Sequence, residues 1–313
     1  MRKNLPMIVR GRPHLRARLI VGVLNAIGLA LILGATLAIP KVAFSQPPIA
    51  GTTCQKITKP GLYEIDNILI ASSPAAGDCI VITAPNVSLN LNGFDLLGAT
   101  RAVGIHVMKT AAKAVIEGNG STIKTFGVGI QIDAAGALAD NFTVNKNTDA
   151  GVVINHTQQA QLSNFSSTDN LNDGVRIVGG GFNGLQMTSI SGNGRYGVWV
   201  EGSSNNSVGN FDISKNALVG IYVGCSQAGP RAACLRGVGQ SNYNHLFSGT
   251  INDSGIQQYG VAIDLGDNFN RVVNVYARFD SQVDLLDENP DCASNYWFAE
   301  PIIGVVTPQT CIN

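Results

Sequence analysis

Residues 147–177, NTDAGVVINHTQQAQLSNFSSTDNLNDGVRI, hold one full period of the chain. Gly151 opens the tetrapeptide GVVI, and 23 residues later Gly174 opens GVRI. Working outward, the pattern Gly-[Ile/Val]-x-[Ile/Val] begins at Gly104, Gly129, Gly151, Gly174, Gly197, Gly220 and Gly260, in steps of 25, 22, 23, 23, 23 and 40. The last step is one ordinary step of 23 plus an insertion of 17, and the segment from Cys225 to Asn242 has the two cysteines and the Gly-Pro turn of an inserted loop. A repeat of this length implies a unit that buries its apolar face only by stacking on the next copy.

Each period holds short β-type runs separated by Gly, Asn, Asp and Ser, with no amphipathic stretch long enough for a crossover helix. The fold expected is all-β: a single-stranded, right-handed parallel β-helix of ~23 residues per rung, with three short strands and three bends per turn and a cap at each end. Alternation along a strand then sends the first and third residues after each glycine inward, from Ile105 and Val107 to Val261 and Ile263. The boundaries read from the sequence are an N-terminal entry segment at 46–78, the β-helix at 79–285 with a disulfide-bearing insertion near 225–241, and a C-terminal cap at 286–313.

Residues 1–45 are set apart from the fold. Six Lys/Arg between Arg2 and Arg18 precede an uncharged apolar run, Leu19–Ile39, and Ala43-Phe44-Ser45 offers a small-x-small cleavage site. A cleaved export signal is the favoured reading, and an uncleaved anchor through 19–39 the alternative, since 21 residues can span a bilayer. The expected location is secreted, periplasmic or cell-surface. The segment takes 7 of the 21 Lys/Arg and no Asp/Glu, so residues 46–313 carry 14 against 21, a net of −7. That balance argues against a nucleic-acid partner. It leaves Ca²⁺ open as a weakly supported ligand, with no other cofactor expected. An even count of six cysteines in an exported chain predicts disulfides, paired here as nearest neighbours: Cys54–Cys79, Cys225–Cys234 and Cys292–Cys311.

Four residues before the repeat glycine stand Asn147, Asn170, Asn193 and Asn216, at a constant spacing of 23. Stacked at a bend, such side chains satisfy one another and the backbone that the turn leaves unpaired, and a structural ladder is expected. Asp149 and Asp173, between ladder and glycine, read as turn formers.

The stretch NTDAGVVI also resembles an acid-bearing motif of the polygalacturonases, but the adjacent Asp-Asp pair, Gly-His-Gly and Arg-Ile-Lys of that family do not occur after residue 45. A broader resemblance is carried by KITKPGLYEIDNILI and CIVITAPNVSLNLNGFDLLG, which look like the opening rungs of exported right-handed parallel β-helix repeat proteins of the pectin-lyase-like superfamily. It covers roughly residues 54–285 and implies the fold rather than an activity, because that superfamily spans lyases, hydrolases, epimerases, adhesins and scaffolds. The Arg-x-Pro-x-x-Arg motif of its pectate lyases is missing, so no catalytic residue is carried over.

The outward column, two residues after each glycine, reads His106, Gln131, Val153, Arg176, Trp199, Tyr222 and Ala262. Arg176, Trp199 and Tyr222 on three successive rungs form the candidate binding face, with Glu201 and Asp133 in a parallel polar column; rings ~4.8 Å apart could stack sugars and a guanidinium could grip a carboxylate. The competing expectation is that a loop covers the rings and that Arg176 pairs with Glu201. Were there catalysis, Arg176 or His156 as base beside Asp149 and Asp173 would be its first place. Two functions follow: an exported protein that binds or processes an extracellular polysaccharide, or a non-catalytic surface scaffold.

Overall fold

The structure, a computed structural model, describes residues 53–71, 77–98, 102–224, 239–253, 255–298, 305–308 and 310–312. All lie within the compact unit Phe44–Asn313. The chain winds through two long parallel sheets, one of eleven strands and one of twelve, each strand pairing with its counterpart one turn on. Among the described residues there is no α-helix, and no helix is long and apolar enough to cross a membrane. The export or anchor reading of residues 1–45 and the Cys225–Cys234 pairing fall outside the described residues.

The repeat glycines set the register of the first sheet. Ile130 pairs with Val152, Val152 with Val175 and Val175 with Val198, a single file along the axis. All fourteen inward aliphatics of the seven motifs, Ile105 through Ile263, are 0% exposed. Each contributes roughly 1.5–3 kcal/mol by burial, which makes these columns the main source of stability. The glycines themselves do not need a left-handed backbone; they are there for closeness. A Cβ on Gly104, Gly129, Gly151, Gly174, Gly197 or Gly220 would lie 2.5–2.7 Å from the carbonyl oxygen of the glycine one rung on.

The second sheet is built from eight-residue strands such as Leu138–Asn145, Gln161–Thr168 and Arg271–Arg278. Each is broken in the middle by a residue in the left-handed region: Asn141, Asn164, Met187, Asn210, Ser248 and Asn274, φ between 51° and 55°. Asn is the side-chain-bearing residue that best tolerates that region, and it supplies four of the six. The break turns each long strand into two short ones, which reproduces the three strands per turn read from the sequence. Phe142 and Phe165 stack just inside it, with ring centroids 5.1 Å apart.

Two Asn ladders close the bends. In the first, Asn147, Asn170 and Asn193 each donate both backbone N–H and Nδ2 to the Oδ1 of the next member, at 2.8–3.1 Å, ending on Asn216. Gln257 and Asp280 then extend the line past the insertion. The second ladder, Asn183–Asn206–Asn244–Asn270–Asn295, has the same chemistry at the opposite bend.

Cys54–Cys79 and Cys292–Cys311 are bonded as expected. Parallel pairing also reaches beyond 79–285 at both ends. Gln55–Ile57 pairs with Ile80–Ile82, Tyr296–Phe298 adds to the second sheet, and Val306 pairs with Leu285. The segment expected to act as a C-terminal cap therefore adds strands to both sheets as well as closing the core, where Trp297, 3% exposed, donates its indole N–H to Asp287.

Candidate functional site

Two polar clusters occupy the outer face of the first sheet. The one nearer the N-terminus centres on His106, whose Nδ1 is 2.6 Å from Asp78 Oδ2 and whose Nε2 is 3.0 Å from Asp133 Oδ2. Asp133 Oδ1 also accepts from Gln131 Nε2 and Asn155 Nδ2. Burial opposes a charge on His106, but the hydrogen bonds and charges of Asp133 and Asp78 outweigh it and raise the imidazole pKa. With both ring nitrogens engaged, His106 staples three rungs rather than serving as a base. Its stabilising charge is fully present below the unfolded-state value of ~6.5 and is lost as pH rises through the higher folded-state value. Hydrogen-exchange protection of Val103–Val107 is therefore expected to fall as pH rises above ~6.5, after correction for intrinsic rates, and His106→Gln should flatten that profile. A profile unchanged by the substitution would remove the staple.

The second cluster is centred on Trp199. Arg176 donates its Nε to Glu201 at 2.7 Å, and its Cζ lies 4.8 Å from the Trp199 ring centroid. Arg195 grips Asp173 through Nε at 2.8 Å and Nη2 at 2.5 Å, while its Cζ lies 4.6 Å from the Trp199 ring and 4.9 Å from the Tyr196 ring. The Tyr196 and Tyr222 ring centroids are 5.0 Å apart, and the Tyr222 hydroxyl donates to Asp264 at 3.0 Å. Burial pushes both phenols upward, and Asp264 adds to the rise at Tyr222, so both stay protonated and Tyr222 remains a donor to Asp264. Burial likewise pushes Asp173 up against the pull of Arg195, whose own charge is held by that carboxylate.

These contacts decide where the expected residues stand. Arg176, Trp199, Tyr222 and Glu201 come together, whereas Asp133 belongs to the His106 cluster. Trp199 lies on the predicted column yet is only 2% exposed. Arg176 retains 29% of its side-chain exposure, and among the described residues its Nη atoms make no hydrogen bond. Asp173 is not a turn former: it begins the strand Asp173–Val178 and is fully buried against Arg195. Asp149 accepts from Asn172 at the bend, and His156 pairs with neighbouring Asn155 rather than with Arg176. Arg195 and Tyr196 were not anticipated, because strict alternation from Gly197 turns Tyr196 inward. The contact of Tyr196 with Trp199, centroids 5.4 Å apart, shows that alternation slips at the glycine. Among the described residues no group of three or more His, Cys, Asp or Glu is placed to hold a metal ion.

The family model described as a right handed β-helix region matches residues 128–278. The chain folds as a right-handed parallel β-helix. Among solved structures, a mutant of the periplasmic alginate epimerase AlgG is 13% identical, aligned over 75% of this chain and 64% of that one, with a TM-score of 0.50. The Dettilon tailspike protein is 14% identical over 78% of this chain and 62% of that one, TM-score 0.44. The A-module of Azotobacter vinelandii mannuronan C-5 epimerase AlgE4 is 13% identical over 81% and 91%, TM-score 0.33. The likeness is one of fold, and the β-helix protein spans less than two thirds of the first two. No curated protein sequence matches it.

Proposed function

We propose that this β-helix protein is exported and binds or processes an extracellular polysaccharide on the outer face of its first sheet. The observation that carries the reading is Arg176: a half-buried guanidinium held in place by Glu201 and Trp199, with Nη groups left for a carboxylate-bearing sugar beside Tyr222. Two disulfides support an oxidising compartment. A β-helix of the same fold is an alginate epimerase, which supports the polysaccharide class.

A scaffold role is the second reading, favoured by the burial of Trp199 and the pairing of both arginines within the cluster. Binding of the protein to immobilised alginate and polygalacturonate, compared with Arg176→Ala, separates the two. Loss of one charge-assisted contact is expected to weaken retention about tenfold. Equal retention of both proteins would reject the first-sheet face.

A further inference from the structure

The outer face of the second sheet carries a different feature over its last three rungs. Reading along each strand, every second residue is Tyr243, His245, Phe247; then Phe269, Arg271, Val273; then Ser294, Tyr296, Phe298. The registers His245↔Arg271↔Tyr296 and Phe247↔Val273↔Phe298 place these side by side. The result is a grid of rings with a rung spacing of ~4.8 Å. Tyr243, Phe269, Tyr296 and Phe298 are 55%, 48%, 50% and 40% exposed. Large rings left in water at this density mark an interaction surface.

Three observations narrow the occupant. First, Tyr243 and Phe269 stack nearly parallel, at 4.9 Å and 5°, and both have a left-handed backbone, φ 57° and 60°. A bulky aromatic there is strained; the equivalent position one rung earlier is Asn205, which suits that backbone, and two rungs earlier it is Phe182, exposed and left-handed like Tyr243 and Phe269. Rings held in water at a conformational cost are better explained by use than by packing. Second, the grid contains His245 and Arg271 and no Asp or Glu, on a segment whose net charge is −7. Third, Arg271 lies 5.5 Å over the Tyr296 ring, and among the described residues it has no carboxylate partner, unlike Arg176 and Arg195. Flat rings flanked by an unneutralised guanidinium match a chain of flat, apolar-faced units that bear carboxylates.

We infer that this C-terminal grid is a binding surface for a uronate-containing polysaccharide, with sugar faces on Tyr243, Phe269, Tyr296 and Phe298 and a carboxylate on Arg271. It is separate from the first-sheet face and does not depend on it.

The test uses the full chain, polygalacturonate as probe and dextran as the neutral control. Tyr243→Asn/Phe269→Asn removes the rings and installs the residue found at Asn205, so its melting temperature should hold or rise while polygalacturonate affinity falls about tenfold or more. In the Arg176→Ala background, where the first-sheet face no longer holds a carboxylate, Arg271→Gln should erase the preference for polygalacturonate over dextran. Arg176→Ala should leave the grid's share of binding intact, which distinguishes failure here from failure of the first-sheet reading. Unchanged affinity in the double variant, measured in the Arg176→Ala background, overturns the inference. So does a fall in its melting temperature with affinity retained, which makes the stack structural. Sedimentation as a dimer that the double variant converts to monomer, or binding to phosphatidylglycerol vesicles but not to polygalacturonate, also overturns it by assigning another occupant.

Discussion

Gly174→Ala is expected to lower the melting temperature by about 6–12 °C, the equivalent of roughly 3 kcal/mol in a domain of this size. The new methyl would stand 2.5 Å from Ile190 Cγ2, 2.6 Å from Gly197 O and 2.8 Å from Asn193 Nδ2. None of the three can give way cheaply. Ile190 is a fully buried β-branched side chain, the carbonyl is fixed by neighbouring rungs, and the amide belongs to the ladder. A matched control is Gly120, where φ is +86° and a methyl would have nothing within 4 Å. Gly120→Asn meets no steric contact and takes the side-chain-bearing residue that best tolerates positive φ, so it is expected to cost about 1 kcal/mol of backbone strain, well below Gly174→Ala. Thermal melts of the two variants decide the matter, and equal melting would mean that the glycine column is not set by inter-rung closeness.

Asn193→Ala is expected to cost about 2–5 kcal/mol. Its Oδ1 receives both the backbone N–H and the Nδ2 of Asn170, at 3.1 and 2.9 Å, and its Nδ2 reaches Ser167 O at 3.2 Å and Asn216 Oδ1 at 2.8 Å. All of these groups are buried, so truncation leaves donors and acceptors that water cannot reach. Hydrogen exchange at the Asn170 amide gives a direct reading, and protection there and in the adjoining rungs should collapse before the rest of the rod. By contrast, Asn172→Ala removes a half-buried bond to Asp149 and should melt within ~1 kcal/mol of the parent. Retained protection at Asn170 would show that the ladder is dispensable.

The ladder shows where a linear reading stops. Asn147, Asn170, Asn193 and Asn216 were legible because one spacing of 23 joins them. The second ladder runs in steps of 23, 38, 26 and 25 from Asn183 to Asn295, and only its first step repeats that spacing. Asn183 and Asn206 were the available signal. The extra residues between Gly224 and Gly239, and the longer later rungs, hid the rest.

The candidate site divides in the same way. Arg176, Trp199 and Tyr222 could be placed on one column by counting from their glycines, and the structure pairs them in register. Counting could not show that Arg195 reaches back to Asp173, 22 residues away, and closes over Trp199, nor that His106 draws in Asp78 and Asp133 from 28 and 27 residues away.

By itself the sequence determined the coil: its period, its inward aliphatics and its first ladder follow from spacing, because stacking identical turns converts a repeat in number into a file in space, and its two described disulfides follow from pairing neighbouring cysteines. Only the tertiary structure decided which outward groups meet solvent. Side chains that leave the core choose partners by reach and rotamer across rungs, and at the glycine the alternation slips. Trp199 is thereby sealed beneath two guanidinium groups, while Tyr243, Phe269 and Arg271, on a bend and strand that no motif singled out, are left open to water.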